Sequence, residues 1–368
     1  MKDSASSGHP LVIFMPSGRR GRFARGTPLL DAARALGVYV ESVCGGRGLC
    51  GRCQVTPTYG EFAKHGITSA EKHLSPGNDV EARYARTLAL PADRRLSCQA
   101  RIEGDLVVDI PADTAINHQV VRKRAEVRSI AADPAVRLVT VTVPPADMEQ
   151  PLGAVDRLRH LLAAQDGEGH SFDEADLGVA AGISAALAAR GGTITAALYD
   201  DGRRATLIAI WPGAQERALG LAIDIGSTTI AAHLVDLVSG RTLASSGTSN
   251  PQIRFGEDLM SRISYIMMQP EGGPAMTLAV REAVMTLAAR VASQAGATPA
   301  EILDATVVGN PVMHHLFLGI DPTPLGQAPF ALAVSGPLTL RAADLGLSLH
   351  PGARVHMLPC IAGHVGAD

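Results

Sequence analysis

The chain has 368 residues, 46% of them hydrophobic and 19% charged, which is typical of folded globular protein and long enough for two or three domains. A formal net charge of −3 argues against a general nucleic-acid binder. The start, MKDSASSGHP, lacks the apolar stretch of a signal peptide, and no uncharged apolar run reaches the ~18 residues of a membrane span. We therefore expect a cytoplasmic protein.

The N-terminal segment predicts two strands and a helix ahead of a glycine-rich loop. The strands are expected at residues 11–15 and 22–24. Thr27 suits the N-cap of the helix, Pro28 suits its first position, and Gly37 its end. This order of strand, strand, helix and loop is that of a β-grasp ferredoxin.

Four cysteines carry the strongest chemical signal. Cys44, Cys50 and Cys53 lie in the loop CGGRGLCGRC with five and two residues between them, and Cys98 follows at a distance. A [2Fe–2S] cluster needs four thiolates around one compact centre, and three close cysteines plus a distant one is its usual pattern. The loop's glycines allow tight wrapping and amide N–H groups directed at sulfur. The spacing predicts these four cysteines as cluster ligands.

Other uses of the cysteines fit less well. A zinc site normally shows two CxxC pairs, and this loop has one. A disulfide framework does not suit five cysteines in 368 residues. Cys360 stands apart from the rest, and we expect it to be a small buried hydrophobic residue. Arg47 and Arg52 on the loop are either docking contacts or solvated charges.

Between this loop and residue 215 the sequence predicts the rest of the first domain, a linker and a small α+β domain. Thr68 and Glu71 form a candidate capping box. LSCQARIEGDLVVDIP predicts two strands that turn at Gly104, with Cys98 at the start of the first. A linker is expected at residues 113–126, and no catalytic constellation stands out in residues 127–215.

A second motif follows a buried strand in LGLAIDIGSTTIAAHLVDLVSGRTLASSGT. A glycine at a tight turn lets amides approach phosphates, hydroxyls donate to them, and a carboxylate can hold Mg²⁺. The motif predicts Asp224 as a Mg²⁺ group and a phosphate loop formed by Gly226, Ser227, Thr228 and Thr229. The alternative is an ordinary β-turn capped by Asp and Thr.

The remaining sequence predicts helices around a buried strand. Asn310 and Pro311 resemble an N-cap and a first helical residue. His314 and His315 diverge by about 100° on a helix, so each is expected to be satisfied or exposed rather than part of one chelate. Arg254, Asp258 and Arg262 recur at helical spacing, as ion pairs or as residues of a cleft.

Taken in order, these motifs resemble the reductive activators of corrinoid proteins, the most specific pieces being the cysteine loop, DIGSTT, NPQIRFGEDLMSRI, VVGNPVMHHLFLG and LPCIAGHVGAD. The resemblance implies a multidomain α+β and α/β fold. Its parts are a disordered start at 1–9, an adrenodoxin-like β-grasp 2Fe-2S ferredoxin domain at 10–112, a linker at 113–126, the α+β middle domain at 127–215, and one lobe of an actin-like (ribonuclease H-like) ATPase fold at 216–368.

The resemblance also implies a function. A 2Fe-2S cluster and ATP with Mg²⁺ would serve an ATP-dependent one-electron reductase that returns Co(II) to Co(I) on the corrinoid protein of a methyltransferase system, with a separate electron donor. No second phosphate motif of the DIGTNGE type follows DIGSTT, so we expect a truncated member with half of a nucleotide site. Two alternatives remain: an iron–sulfur electron carrier whose actin-like half binds nucleotide or a partner without hydrolysis, and a small-molecule kinase with a zinc-stabilised N-terminal domain.

Overall fold

The computed structural model describes residues 9–42, 44, 46–87, 90–111, 133–149, 151–164 and 171–367. The chain forms a mixed α/β protein in which separate sheets have their own cores. The predicted linker at 113–126 and all but the last residue of the predicted disordered start at 1–9 lie outside the described residues. No helix in the described ranges is long and apolar enough to cross a membrane.

The N-terminal unit is a mixed sheet in the order β2-β1-β7-β3-β6 with a small hairpin, β4-β5, beside it. Its elements are β1 (Leu11–Met15), β2 (Arg19–Arg22), α1 (Leu29–Ala35), β3 (Gln54–Thr58), β4 (Gly60–Phe62), β5 (Ile67–Ser69), α2 (Asp79–Thr87), β6 (Arg95–Leu96) and β7 (Leu106–Asp109). β1 pairs with β2 in antiparallel and with β7 in parallel register. Leu29 and Leu30 of α1 are buried against this sheet. This packing holds α1 in place, and the chain leads from the end of α1 into the cysteine loop.

Four local expectations for this unit are wrong. The second strand, expected at residues 22–24, is β2 at Arg19–Arg22. Pro28 is the N-cap of α1 in extended conformation, and Thr27 makes no cap. Ala70, with no side-chain cap bond, precedes the short 3₁₀ helix Glu71–His73, so the Thr68–Glu71 capping box does not form. Residues 98–103 are not a strand: Cys98 lies in a turn after β6, and only isolated bridges follow at Arg101 and Ile102.

The middle unit is a sheet in the order β8-β10-β11-β9. Its elements are β8 (Val136–Thr142), α3 (Ala154–Ala163), β9 (Glu174–Ala175), α4 (Leu177–Ala189), β10 (Thr193–Asp200) and β11 (Ala205–Pro212). Leu158, Leu162 and Ile183 of the two helices pack on its core. Asp176 precedes α4 and binds Arg354 of the following unit at 2.8 Å, an ion pair whose two side chains are only 12% and 11% exposed.

The C-terminal unit is a sheet in the order β14-β13-β12-β15-β17-β16. Its elements are β12 (Leu219–Ile225), β13 (Thr229–Asp236), β14 (Arg241–Ser249), α5 (Leu259–Met268), α6 (Gly272–Gln294), β15 (Ile302–Gly309), α7 (Pro311–Leu318), β16 (Leu338–Arg341) and β17 (Arg354–Met357). The alternating apolar residues of β12, from Leu219 to Ile225, share one core with α5, α6 and α7. β12, β13 and β14 form an antiparallel meander.

Candidate metal centre and phosphate loop

The four cysteines of the N-terminal unit lie together as two pairs. The Sγ atoms of Cys44 and Cys50 are 3.4 Å apart, and the thiols of Cys53 and Cys98 are hydrogen-bonded to each other. Cys44 and Cys53 are buried, whereas Cys50 and Cys98 are half-buried. The turn after β6 therefore brings the distant Cys98 to the loop, as the cysteine spacing predicts.

The four thiols fall into two pairs. In the described residues, no set of three His, Cys, Asp or Glu side chains is placed to hold a metal ion. Two pairs of thiols suit a centre in which each iron takes two protein sulfurs and shares two bridging sulfides. The donor set therefore fits a [2Fe–2S] cluster, with Cys44 and Cys50 as one pair of ligands and Cys53 and Cys98 as the other.

The thiols titrate as pairs. The hydrogen bond from Cys50 lowers the pKa of Cys44 to about 4 and in turn raises the pKa of Cys50. In the second pair, the hydrogen bond with Cys53 lowers the pKa of Cys98 and raises that of Cys53. Within each pair, one thiol loses its proton more easily than the other, and a bound metal would displace the remaining proton.

Backbone amides surround these sulfurs as the glycine-rich sequence predicts. The N–H groups of Gly46, Leu49 and Cys50 donate toward the Cys44 sulfur. Gly51 has φ +66°, and a Cβ there would lie 2.8 Å from the ring of Tyr84 on α2. Only glycine combines this backbone conformation with this close approach.

The rim of the loop is exposed. Arg47 donates to the Cys44 carbonyl at 3.1 Å, and Arg52 lies 3.6 Å from Glu41 while remaining 64% exposed. Leu49 between them is 58% exposed, an apolar side chain that the sequence pattern does not single out. The rim thus presents two cations around an apolar residue.

The DIGSTT motif forms a tight turn between β12 and β13, closed by the Gly226 N–H donating to the Thr229 carbonyl at 2.9 Å. Asn250 holds the turn from below: its backbone N–H donates to the Thr228 carbonyl, and its Nδ2 donates to the Gly226 carbonyl, both at 2.8 Å. No backbone carbonyl among the described residues accepts from the Ser227 or Thr228 N–H. The turn thus uses the Gly226, Thr228 and Thr229 carbonyls within the protein, and its Ser227 and Thr228 amides have no backbone partner.

Asp224, the predicted Mg²⁺ group, is the penultimate residue of β12 and is half-buried. It stands opposite Ala231 in the hairpin and beside Val308 of the parallel strand β15. The structure therefore brings Asp224 to the same end of the sheet as the Ser227 turn, because both lie where β12 ends.

Arg262 on α5 also contacts the phosphate turn, a role that the sequence pattern did not predict. Its side chain is fully buried and donates to the Ser227 carbonyl, to the Gly256 carbonyl at 2.9 Å and to Gln252 Oε1 at 3.1 Å. Burial lowers its pKa to about 9. The Arg254, Asp258 and Arg262 spacing left ion pairs and a cleft as interpretations, and Arg262 fits neither: its side chain is fully buried, and Asp258 caps α5 through the Ser261 N–H.

The two histidines of α7 behave differently from each other. His315 is satisfied, with Nδ1 against the Pro311 carbonyl and Nε2 accepting from the Ala333 N–H. His314 is 2% exposed, and neither ring nitrogen has a partner among the described residues. The expectation that each histidine is satisfied or exposed is therefore wrong for His314, whose burial lowers its pKa to about 4.

Comparisons with known proteins agree with this architecture. The family models described as RACo linker region and RACo middle region match residues 125–217 and 219–368. The solved structure of a reductive activator for corrinoid, iron-sulfur protein superposes with a TM-score of 0.59 at 26% identity, covering 97% of this chain and 56% of that one.

Two curated proteins match shorter stretches. Corrinoid activation enzyme RamQ of Eubacterium limosum is 35% identical over 149 residues, which are 40% of this chain and 25% of RamQ. A component of the Na(+)-translocating NADH-quinone reductase of Idiomarina loihiensis is 34% identical over 88 residues, 24% of this chain and 18% of that protein. The chain thus spans a quarter or less of these curated relatives and about half of the solved one.

The fold defines a mixed α/β multidomain protein with four clustered cysteines in one unit and the tight DIGSTT turn in another. The chain belongs to the family of reductive activators of corrinoid proteins.

Proposed function

We propose that the protein is an ATP-dependent one-electron reductase that reactivates the corrinoid protein of a methyltransferase system by reducing Co(II) to Co(I). The observation that carries the proposal is the pairing of four thiols in one unit of a chain whose other units match the RACo linker and middle regions. RamQ is a corrinoid activation enzyme, which supports the same role.

The cysteine centre fits a 2Fe-2S cluster. Cys44, Cys50, Cys53 and Cys98 would hold it, and the amides of Gly46, Leu49 and Cys50 would stabilise the charge on sulfur. Such a cluster supplies one-electron transfer. The exposed Arg47, Leu49 and Arg52 form the side of the loop at which an acidic partner, either the corrinoid protein or the electron donor, would dock.

The DIGSTT turn fits the β- and γ-phosphates of ATP. The amides of Ser227 and Thr228 would bind phosphate oxygens, the hydroxyls of Ser227, Thr228 and Thr229 would add donors, and Asp224 would orient Mg²⁺. We assign the ferredoxin domain to residues 10–112, the middle domain to 127–215 and the first lobe of an actin-like domain to 216–368.

ATP has a thermodynamic role in this proposal. Co(I) is a very strong reductant, so passing one electron from a ferredoxin-type centre to Co(II) is uphill. The overall change adds one electron to cobalt and removes one from an external donor. Nucleotide binding and hydrolysis would supply the free energy by stabilising the conformation in which Co(II) is more easily reduced.

The test is reduction of a corrinoid protein held as Co(II), under anaerobic conditions, with dithionite and with or without MgATP. Loss of the Co(II) EPR signal should require both the protein and ATP. Asp224→Asn should remove the ATP effect, whereas Asp236→Asn, a carboxylate that caps the turn at the other end of β13, should keep it.

Two results would overturn the proposal. If the cluster-loaded protein does not accelerate cobalt reduction above dithionite alone, the function is wrong. If it does so equally with and without ATP, the protein is an electron carrier whose C-terminal unit binds nucleotide or a partner without hydrolysis.

A further inference from the structure

The N-terminal unit contacts the C-terminal unit through Arg34, in the last turn of α1. The Arg34 side chain is 5% exposed, and its Nε donates to the Arg254 carbonyl at 2.7 Å. Its guanidinium carbon lies 4.5 Å from the centroid of the Tyr265 ring, within cation–π range. We call residues 254–265 the docking segment, because both contacts fall in it.

A second contact joins the same two regions. The Tyr39 hydroxyl, just after α1, donates to the carboxylate of Glu257 in the docking segment. Glu257 is half-buried. The chain that leads from α1 into the cysteine loop is therefore held against the docking segment at two points, one on each side of the helix end.

Arg34 also reaches the cysteine loop. A Cβ on Gly46 would lie 3.9 Å from Arg34 Nη1 and 3.9 Å from Cys98 Cβ, so the guanidinium and a ligand cysteine flank the same glycine. Nη1 is used by Asp31 at 3.2 Å. Nη2 is buried and has no acceptor among the described residues.

An unpaired N–H on a buried guanidinium is costly, because a charged group loses its water without gaining an acceptor. Arg34 Nη1 and Cys98 Cβ each lie 3.9 Å from the position of a Cβ on Gly46, so the guanidinium borders the loop that would hold the cluster. Nη2 is the buried donor of this guanidinium that remains for a sulfur of a bound cluster.

We propose that Arg34 is a positioning residue that donates Nη2 to a sulfur of the cluster and is held in place by the docking segment, so that the C-terminal unit sets the reduction potential of the cluster. This inference rests on the proposed function only in requiring the cluster, and it does not require cobalt reduction. A cation and a hydrogen bond at sulfur stabilise the more negative, reduced state and so raise its potential.

The docking segment also contacts the phosphate turn, and this links the Arg34 contact to that turn. It includes Arg262, whose guanidinium binds the Ser227 carbonyl of the phosphate turn. The same short stretch thus contacts the turn through Arg262 and Arg34 through Arg254 and Tyr265. A rearrangement of the turn would reach the cluster through Arg254 and Tyr265.

The test is an EPR-monitored redox titration of the cluster in the protein without any corrinoid partner. Arg34→Gln should shift the potential to more negative values, whereas Arg20→Gln, which removes the same charge from the exposed strand β2, should not. Tyr265→Leu should give a smaller shift in the same direction. It should add nothing further in the Arg34→Gln background, because the ring acts through Arg34.

An unchanged potential in Arg34→Gln with a full cluster overturns the inference, as does an equal effect of Tyr265→Leu in both backgrounds. If Arg34→Gln fails to retain the cluster, Tyr265→Leu alone decides, and an unshifted potential there is the contradicting result. A protein with no iron or sulfide contradicts both proposals. A cluster-loaded protein that does not reduce cobalt contradicts only the proposed function, and the titration then decides the role of Arg34.

Discussion

Arg262 and Ser227 are joined across the C-terminal unit by a hydrogen bond from a fully buried guanidinium to a turn carbonyl. No carboxylate pairs with Arg262 in the described part of the chain, and its oxygen acceptors belong to Ser227, Gly256 and Gln252. The turn that would bind phosphate is thereby fixed from its protein side.

Replacing Arg262 by methionine should lower the free energy of unfolding by about 3 kcal/mol, because buried oxygens lose their donor. Urea denaturation measures this change. Arg290→Met, at an exposed position of α6 with a single 3.3 Å bond to Ser246, should stay within about 0.5 kcal/mol of the wild type. Equal losses in the two variants would contradict the role assigned to Arg262.

Gly51 and Gly66 provide a matched pair of backbone positions. Their φ values are +66° and +65°, but a Cβ at Gly51 meets the Tyr84 ring at 2.8 Å, whereas a Cβ at Gly66 meets nothing within 4 Å. Gly66→Ala should cost only the left-handed backbone strain, about 1–2 kcal/mol, and keep the visible absorption of the cluster. Gly51→Ala should displace the cysteine loop and lose most of that absorption. Full cluster content in Gly51→Ala would show that the close contact with Tyr84 is not needed.

Asp304 predicts a pH dependence of stability. Burial raises its pKa to about 6 from an ordinary 3.8, so the folded state binds a proton more tightly than the unfolded state. The stability due to this proton is present below pH 4 and is lost as the pH rises to 6, an effect of about 3 kcal/mol. Asp304→Asn should therefore stabilise the protein more at pH 8 than at pH 4.5 in urea titrations.

Asp201 is a control for Asp304, because its pKa is shifted in the opposite direction. It is exposed, and the backbone N–H groups of Arg204 and Arg203 lower its pKa. Its contribution is present above its unfolded pKa and lost as the pH falls, so Asp201→Asn should cost more stability at pH 8 than at pH 3. A pH-independent effect of Asp304→Asn would contradict the burial argument.

Cys98 and Cys360 have different expected roles, the first as a cluster ligand and the second as a buried hydrophobic residue. Cys98→Ser should remove the partner of Cys53 and with it most of the iron and sulfide. Cys360, which is 4% exposed and distant in sequence from the loop, is expected to act as a buried hydrophobic residue. Cys360→Ser should keep the metal content and only lower the melting temperature. Iron and sulfide analysis of the two variants measures this, and equal losses would contradict the assignment.

The proximity of the three loop cysteines could be predicted from the sequence because they are close along the chain. Three cysteines and several glycines lie within ten residues, and the structure adds only the approach of Cys98. The β12, β13 and β14 meander was also predictable, because alternating apolar residues and turn residues specify it. The Asn310 cap of α7 followed from the Asn-Pro pair, and its side chain accepts from the Met313 N–H.

The predictions that were wrong or missed concern features set by contacts between residues far apart in the sequence. The segment after Cys98 has the alternation of a strand but turns, because Ser97 and Ala100 bind the backbone of Leu30 and Leu29 in α1. The role of Arg262 depends on a turn 35 residues earlier in the chain, and helical spacing alone left it undecided between an ion pair and a cleft. The burial of His314 likewise comes from packing that no local pattern encodes.

The decisive measurement is the anaerobic iron and acid-labile sulfide content of the protein, with the EPR spectrum after reduction by dithionite. Because two thiol pairs fit two irons, we predict about two irons and two sulfides per chain and a rhombic signal of a reduced [2Fe–2S] cluster. Zinc without sulfide would contradict the cluster assignment, because the four cysteines would then form a structural site with no electron to transfer.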